Sequence, residues 1–384
     1  MPSALIVSEY GALNGGENSL LAVVPAIIDS GWNMHALVPA DSPFANALRD
    51  ANVSVMPFEF TADGIRKPLE ALRQELAQEI QRFDSAPPRI VHCNSLSATR
   101  ICAPVCAELD VPVVGYFRDI MKLGNQAIKD VNCADRIVAV SQATRDWHVQ
   151  QGVDESRIQV IHNGVDPNIF FPGEDMDATG AELRSQLKVP LDSPIVLYVG
   201  QIGLRKGLNT WLAAAEKISE AIPQTHFLIV GERHSNKQES IDYERDLRQQ
   251  SNSGQLNGKV HWIGRRTDVP HLMRLASVLL HSARQEPLGR VLLEASASAL
   301  PIVATNVGGT SEILASEMLA DCLIPADDAG AAANATIKLL SDVQLHRRNA
   351  HEVRRLAVEQ FSISACHNQL TDVYQELVAS GNSE

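Results

Sequence analysis

The chain has 384 residues but no apolar run near the roughly 18 residues that a membrane helix needs; the best candidate, 20–28, ends at Asp29. No basic region precedes the first apolar stretch in MPSALIVSEY, and that stretch is too short for a secretory signal, so it is read as a first β-strand. C-x-x-C spacing is missing among the six cysteines, Cys93, Cys102, Cys106, Cys133, Cys322 and Cys366. Cys102 and Cys106 are neighbours on a helix, but two thiols alone make a poor metal site. Reduced, mostly buried thiols in a cytoplasmic protein are expected, and the sequons at Asn52 and Asn334 then carry no meaning. Positive charge is also short. A formal charge of −13, with acids in both halves, offers no basic field. That argues against nucleic acid as the main partner and against strong attachment to anionic lipid, while leaving room for peripheral membrane contact. No pattern sets an oligomeric state.

What is present is an alternation of short β-branched runs with longer helical patterns. The first half offers ALIVS (4–8), MHALVP (34–39), RIVHC (89–93), VPVVGYF (111–117), RIVAV (136–140) and IQVIH (158–162). The second offers PIVLYVG (194–200), HFLIVG (226–231), KVHWIG (259–264), SVLLHS (277–282), PIVAT (301–305) and CLIP (322–325). Strands alternating with helices imply parallel sheets joined by right-handed crossovers. The expected architecture is therefore α/β, with two doubly wound, Rossmann-like domains facing a cleft. A seam rich in Gly, Pro, Asn and Asp runs over 163–180. The predicted division is a first domain over 1–170, a linker over 171–193, a second domain over 194–361, and a C-terminal helix in 362–384 that packs back on the first domain. Ligands of such sheets bind at loops beyond the carboxyl ends of strands.

Three glycine-rich turns occupy such positions: EYGALNGGEN with Gly15 and Gly16, GQIGLRKG with Arg205 and Lys206, and NVGGTSE with Gly308 and Gly309. Glycine lets backbone N–H groups approach a phosphate, and a following helix adds partial positive charge. No G-x-G-x-x-G follows the first strand, which disfavours a nicotinamide oxidoreductase. GQLNGKV (254–260) is too short for a P-loop and has Val260 where the magnesium-binding Ser or Thr would stand. Asp175-Met176-Asp177 has D-x-D form but follows no strand and reads as a solvated acidic turn. No metal or other cofactor is expected.

In RQEPLGRVLLEA (284–295), Pro287 and Gly289 break the chain before a helix, leaving Glu286 just ahead of it and Glu294 within it. Eight helical residues span about 12 Å of rise and roughly 80° of rotation. Two carboxylates acting on one glycosidic bond stand about 5–9.5 Å apart. Spacing alone leaves a solvated helical pair open; as ligand groups, the two suit opposite ends of one long ligand, with hydroxyls at each end and a diphosphate between.

These residues resemble the retaining GT-B glycosyltransferases of family 4 (glycosyl transferases group 1). Glu286-Pro287-Leu288-Gly289 with Glu294 is similar to that family's signature of two Glu separated by seven residues. DRIVAVSQATRDWHVQQGVDESRIQVIHNGVDPNIFFP, VHWIGRRTDV, LLHSARQEPLG and LPIVATNVGGTSEI extend the resemblance over nearly the whole chain. The resemblance implies that Glu286 contacts the donor sugar, Glu294 binds the ribose, and N–H groups around Leu288, Gly289 and Arg290 hold the diphosphate. It also implies that Lys206 pairs with the departing phosphate, that Gly15 and Gly16 approach the donor, and that Gly264 and Arg265 lie near the base. Two departures stand out. Members often carry Arg where this chain has Gln201, a charge that Arg205 supplies from nearby. They often carry His where this chain has Arg118-Asp119, so Arg118 is expected to meet an anionic oxygen of acceptor or donor.

The resulting expectation is a cytoplasmic, metal-independent hexosyltransferase that moves a sugar from a nucleoside-diphosphate sugar to an acceptor hydroxyl, in polysaccharide, glycolipid or small-molecule glycoside synthesis. The alternatives are a nucleotide-sugar epimerase or phosphorylase of the same fold, or a protein that holds a nucleotide-sugar without turnover. The loops at 41–47 and 116–125 carry no pattern that names the acceptor.

Overall fold

The computed structural model describes residues 1–83, 87–173 and 178–380. Asp175-Met176-Asp177 lies outside them. The chain forms two compact units, Met1–Gly164 with Ile363–Glu384, and Val165–Ser362.

The first unit is built on a parallel sheet of β1 (Ser3–Val7), β2 (Asn33–Val38), β3 (Ser54–Pro57), β6 (Ile90–Cys93), β7 (Val113–Phe117), β8 (Arg136–Ala139) and β9 (Ile158–Val160), in the order β3-β2-β1-β6-β7-β8-β9. A separate antiparallel hairpin joins β4 (Thr61–Ala62) to β5 (Ile65–Arg66). Helices α1 (Gly15–Asp29), α2 (Pro43–Asp50), α3 (Leu69–Gln81), α4 (Leu96–Glu108), α5 (Asn125–Val131) and α6 (Gln142–Val149) form the crossovers. The sheet interior is apolar on both faces, as covered parallel sheets require. Leu5 and Val7 share a core with Leu72, Leu76 and Ile80 of α3, while the thiols Cys93, Cys102 and Cys106 pack there too. Serines punctuate the strand-to-helix turns. Ser95 accepts from the Ala98 N–H and Ser141 from the Thr144 N–H, so α4 and α6 start at defined points.

The second unit has a parallel sheet of β10 (Ile195–Val199), β11 (His226–Val230), β12 (Val260–Gly264), β13 (Val278–His281), β14 (Ile302–Thr305) and β15 (Leu323–Ile324), ordered β12-β11-β10-β13-β14-β15. Its helices are α7 (Ala178–Gln186), α8 (Leu208–Ala221), α9 (Gln238–Ser251), α10 (Val269–Leu275), α11 (Arg290–Ala297), α12 (Thr310–Ile313), α13 (Ala329–Ser341) and α14 (Val343–Gln360). Trp211 anchors α8: its Nε1 donates to the Leu280 carbonyl at 3.0 Å, and its ring meets Tyr198 and Phe227 edge-on. The near-P-loop GQLNGKV precedes β12 rather than following a strand, with Gly254–Leu256 in a single 3-10 turn.

Two boundaries differ from the sequence reading. The first unit ends at Gly164, not 170, and 171–193 belongs to the second unit. The Val165 N–H donates to the Phe361 carbonyl at 2.8 Å, and buried Arg184 of α7 donates to the carbonyls of Pro190 and Ser193. Turn-rich composition marked the segment as a linker, but its few apolar and arginine residues are enough to fasten it. The C-terminal helix, α15 (Ile363–Ser380), is part of the first unit and packs on α1 and β6. Tyr374 is its anchor. The hydroxyl lies 2.7 Å from His92 Nδ1 and the ring meets Trp32 edge-on.

His92 is fully buried, and its Nε2 has no partner among the described residues. Burial first, then the Arg118 charge, lowers its pKa to about 3, so it stays neutral. Tyr374→Phe removes the one hydrogen-bond partner of that imidazole among the described residues. The expected cost is about 1–3 kcal/mol of stability, read as a lower urea midpoint with secondary structure retained. A change under about 0.5 kcal/mol would show that α15 is held by apolar packing alone.

Candidate active site

The second unit assembles its polar groups where three strands end. Between β10 and α8 the chain makes one 3-10 turn, Leu204–Lys206, closed by Gly207 at φ +63°. A Cβ on Gly207 would stand 2.0 Å from the Ser282 carbonyl oxygen, so neither the backbone angle nor the space admits another residue. Ser282, directly after β13, donates from Oγ to the Gly207 carbonyl at 2.9 Å, and the Arg284 N–H donates to the Arg205 carbonyl at 2.8 Å. Arg205 Nη1 reaches the Gln285 carbonyl at 3.1 Å. The turn after β14 joins through the Gly309 N–H, which donates to the Glu286 carbonyl at 3.0 Å. Turns far apart in sequence are thus laced together.

Glu286 sits inside this lacing with only 6 % of its surface exposed. Lys206 Nζ lies 2.5 Å from its Oε2, and His281 Nε2 lies 2.9 Å from the same oxygen. Oε1 has no hydrogen-bond partner among the described residues. Burial alone would raise this carboxyl, but the Lys206 charge and the His281 hydrogen bond outweigh it and hold the group well below the usual carboxylate range. Glu286 is therefore ionised throughout the neutral range. A folded-state value below the unfolded one makes its stabilising contribution complete above ordinary carboxylate pH and lost as pH falls through the depressed value.

Three residues on, Gly289 at φ +106° caps α11. A Cβ there would meet Leu292 Cδ1 at 2.7 Å, so the sharp entry into the helix is reserved for glycine. Leu288 is buried, and Arg290 opens the helix. Arg290 Nε donates to Glu294 Oε1 at 2.6 Å one turn later, and Glu294 Oε2 has no partner among the described residues. The first N–H groups of any helix lack intrahelical acceptors and favour anions. Gly264 ends β12 at φ +68°, with exposed Arg265 beside Glu232 at 4.0 Å.

Glu286 and Lys206, which the resemblance gave to the donor sugar and to the departing phosphate, are thus in direct contact, whereas Glu286 and Glu294 have different cations. His281 escaped the sequence reading altogether. It is the last residue of an otherwise apolar strand, five positions before Glu286; that placement was the available signal.

In the first unit, Gly15 and Gly16 open α1. A Cβ on Gly16 would stand 3.0 Å from Arg118 Cδ. Arg118 donates from Nη1 to Asn163 Oδ1 at 2.9 Å, from Nη2 to Asn94 Oδ1 at 3.0 Å and from Nε to the Asn94 carbonyl at 3.3 Å. Its guanidinium also lies 4.0 Å from the Tyr116 ring centroid. Three of its five N–H donors are thereby engaged. Glu17, buried in the first turn of α1, accepts from the Asn14 N–H, and burial pushes its carboxyl up.

Family comparison covers both units. The model described as Glycosyltransferase Family 4 matches residues 13–169, and the model described as Glycosyl transferases group 1 matches 180–355. The chain belongs to the family 4 glycosyltransferases of GT-B fold. Among family relatives, it is 27 % identical over 259 residues to the alpha-maltose-1-phosphate synthase of Mycolicibacterium smegmatis, covering 65 % of each chain. It is 28 % identical over 209 residues to the alpha-D-kanosaminyltransferase of Streptomyces kanamyceticus, covering 54 % of this chain and 52 % of that one. The chain thus spans less than two-thirds of the length of these relatives. The family fold recurs in Anabaena Alr3699/HepE, solved in complex with UDP and glucose, at 23 % identity and a TM-score of 0.83, covering 98 % of this chain and all of that one. Among the described residues, no helix is long and apolar enough to cross a membrane.

Removing one member of a buried ion pair strands the other. Lys206→Ala is expected to cost about 3–5 kcal/mol, and Lys206→Ala combined with Glu286→Gln less than Lys206→Ala alone. Urea unfolding of the single and double variants checks the coupling; additive losses would mean that the two groups do not stabilise each other.

Proposed function

We propose that this glycosyltransferase moves a hexosyl unit, with retention of anomeric configuration, from a nucleoside-diphosphate sugar to an acceptor hydroxyl. The carrying observation is the pairing of buried Glu286 with part-buried Lys206 beside the N-terminus of α11, with Oε1 of the carboxylate left for a ligand. Glu286 accepts a hydroxyl of the donor sugar through Oε1. Lys206 has three donors, one of them engaged with Glu286, and turns the others to the phosphate as charge develops there. N–H groups at Gly289 and Arg290 hold the diphosphate, Arg205 adds charge from the same turn, and Glu294 takes the ribose hydroxyls. Gly264 and Arg265 border the base. Breaking the bond between C1 and the phosphate oxygen leaves the nucleoside diphosphate, whose oxygen takes the acceptor proton on the same face. No second carboxylate is needed beside Glu286. Arg118, three of its donors already bound, orders the acceptor side through Asn94 and Asn163.

A screen for release of nucleoside diphosphate from UDP-, GDP- and ADP-sugars tests the reading. UDP-sugars lead it because Alr3699/HepE was solved with UDP and glucose and with UDP-glucose. Sugar transfer with the anomeric configuration kept is expected. Epimerised donor without an acceptor, or binding without release, would refute it.

The reaction is proposed to run without a metal, the charge of the departing phosphate being met by Lys206, Arg205 and the N–H groups at the start of α11. Activity should survive EDTA with at most a modest loss; abolition by chelator and recovery with Mn²⁺ or Mg²⁺ would overturn this.

The two glutamates should fail differently. Glu294→Ala is expected to weaken binding of both donor and free nucleoside diphosphate by about 1.5–3 kcal/mol, the worth of a hydrogen bond to a charged group. Glu286→Ala should leave nucleoside-diphosphate affinity nearly unchanged and depress turnover of the sugar donor. Calorimetry beside initial rates separates them, and equal loss of nucleotide affinity in both variants would refute the two-anchor arrangement.

A further inference from the structure

Lys206 and His281 donate to the same oxygen of Glu286, at 2.5 Å and 2.9 Å. A carboxylate held through one oxygen by a flexible lysine stem is free to swing about its last torsion. His281 removes that freedom because it is fixed from a different direction in sequence and structure. It closes β13, is only 2 % exposed, and is flanked by Leu280, whose carbonyl accepts from Trp211 Nε1, and by Ser282, which ties down the Gly207 turn. An ionised carboxylate only accepts hydrogen bonds, so Nε2 of His281 carries the proton. Burial above all, with the charges of Lys206 and Arg205, keeps the imidazole neutral despite the pull of Glu286. The other titratable group facing Glu286 is Tyr198 of β10, whose phenol burial keeps protonated.

We propose that His281 is a positioning residue for the reaction: it anchors Oε2 of Glu286 so that Oε1 stays turned to the donor sugar while Lys206 shifts towards the phosphate. This rests on the proposed sugar-facing role of Glu286. A neutral donor suits the task. It holds the carboxylate without adding a second cation to compete with Lys206 for the leaving group, and its grip persists when Lys206 shares its protons.

The test compares the parent with His281→Leu, which keeps bulk and loses the donor, and His281→Gln, whose amide nitrogen replaces Nε2. Carbon-13 glutamate labelling, with the Glu286 signal identified by its loss in Glu286→Gln, follows the carboxyl against pH without any substrate. In His281→Leu the carboxyl should protonate at a higher pH than in the parent, and in His281→Gln close to the parent. With the nucleotide-sugar that turns over, kcat should fall on the order of 10-fold or more in His281→Leu, as for loss of a hydrogen bond to a charged group. His281→Gln should recover most of it, and UDP affinity should stay within about 2-fold throughout. Should His281→Leu not fold, His281→Asn, one bond shorter and out of reach of Oε2, takes its place. Identical carboxyl titrations in all variants, or a glutamine variant no better than the leucine one, would overturn the proposal. A shifted titration in a protein that turns over no nucleotide-sugar would sink the functional reading and leave the anchoring intact.

Discussion

A buried carboxylate cannot stand alone. The second unit puts Glu286 almost out of reach of water, and desolvating an isolated charge there costs more than the chain could bear without partners. Much of the local architecture follows from supplying them. Lys206 must arrive from a turn 80 residues earlier, so that turn is cut to a single 3-10 step and closed by a glycine with no room for a side chain. Ser282, Arg284 and Gly309 then stitch the three strand ends together through backbone carbonyls. The rigidity is a by-product of keeping one charge satisfied. It also suits the proposed site, in which a diphosphate would find its donors already in place.

The first unit spends its polar residues differently. At the ends of β6 and β7 it has a cation, but Arg118 is bound to two asparagines and laid over Tyr116. Its charge is fixed in position by neutral partners rather than cancelled by a carboxylate. The C-terminal helix braces the same sheet through Tyr374 and His92. Two units of like topology thus differ in electrostatics: one holds a satisfied ion pair with a spare acceptor oxygen, the other a cation fixed by amides.

Much of this was legible in the sequence, and the exceptions have physical causes. Parallel strands buried on both faces read as unbroken apolar runs, so PIVLYVG and its counterparts stood out. Ser54–Pro57 and the hairpin at 61–66 did not, because half-exposed or two-residue strands carry no such run. Residues 171–193 read as a linker because Gly, Pro and Asp dominate their start, while the fastening depends on a few scattered buried residues, Leu183, Arg184 and Val189. The helix beginning at Arg290 and the place of Glu286 just before it were readable from Pro287 and Gly289. The contact between Lys206 and Glu286 was not, since nothing in either segment reports a partner 80 positions away. His281 was hidden by its setting, an imidazole at the end of an apolar strand being more often a core residue than a working one.

The electrostatics also bear on the two meanings of a paired glutamate motif. A pair of carboxylates cleaving one glycosidic bond requires one of them to hold a proton at neutral pH, which takes burial without a cation. Glu286 has the burial, but Lys206 and the His281 N–H reverse its effect and keep the group ionised. Held ionised by these two donors, it is poorly suited to be the acid of such a pair. Glu294 has its own cation, Arg290, on the same helix, and shares no hydrogen-bonding partner with Glu286 among the described residues. Two carboxylates with separate counterions behave as separate acceptors. An ionised Glu286 with one oxygen anchored can orient a hydroxyl but cannot supply a proton, so proton transfer belongs to some other group, and an oxygen of the departing phosphate is the one the proposed chemistry itself creates.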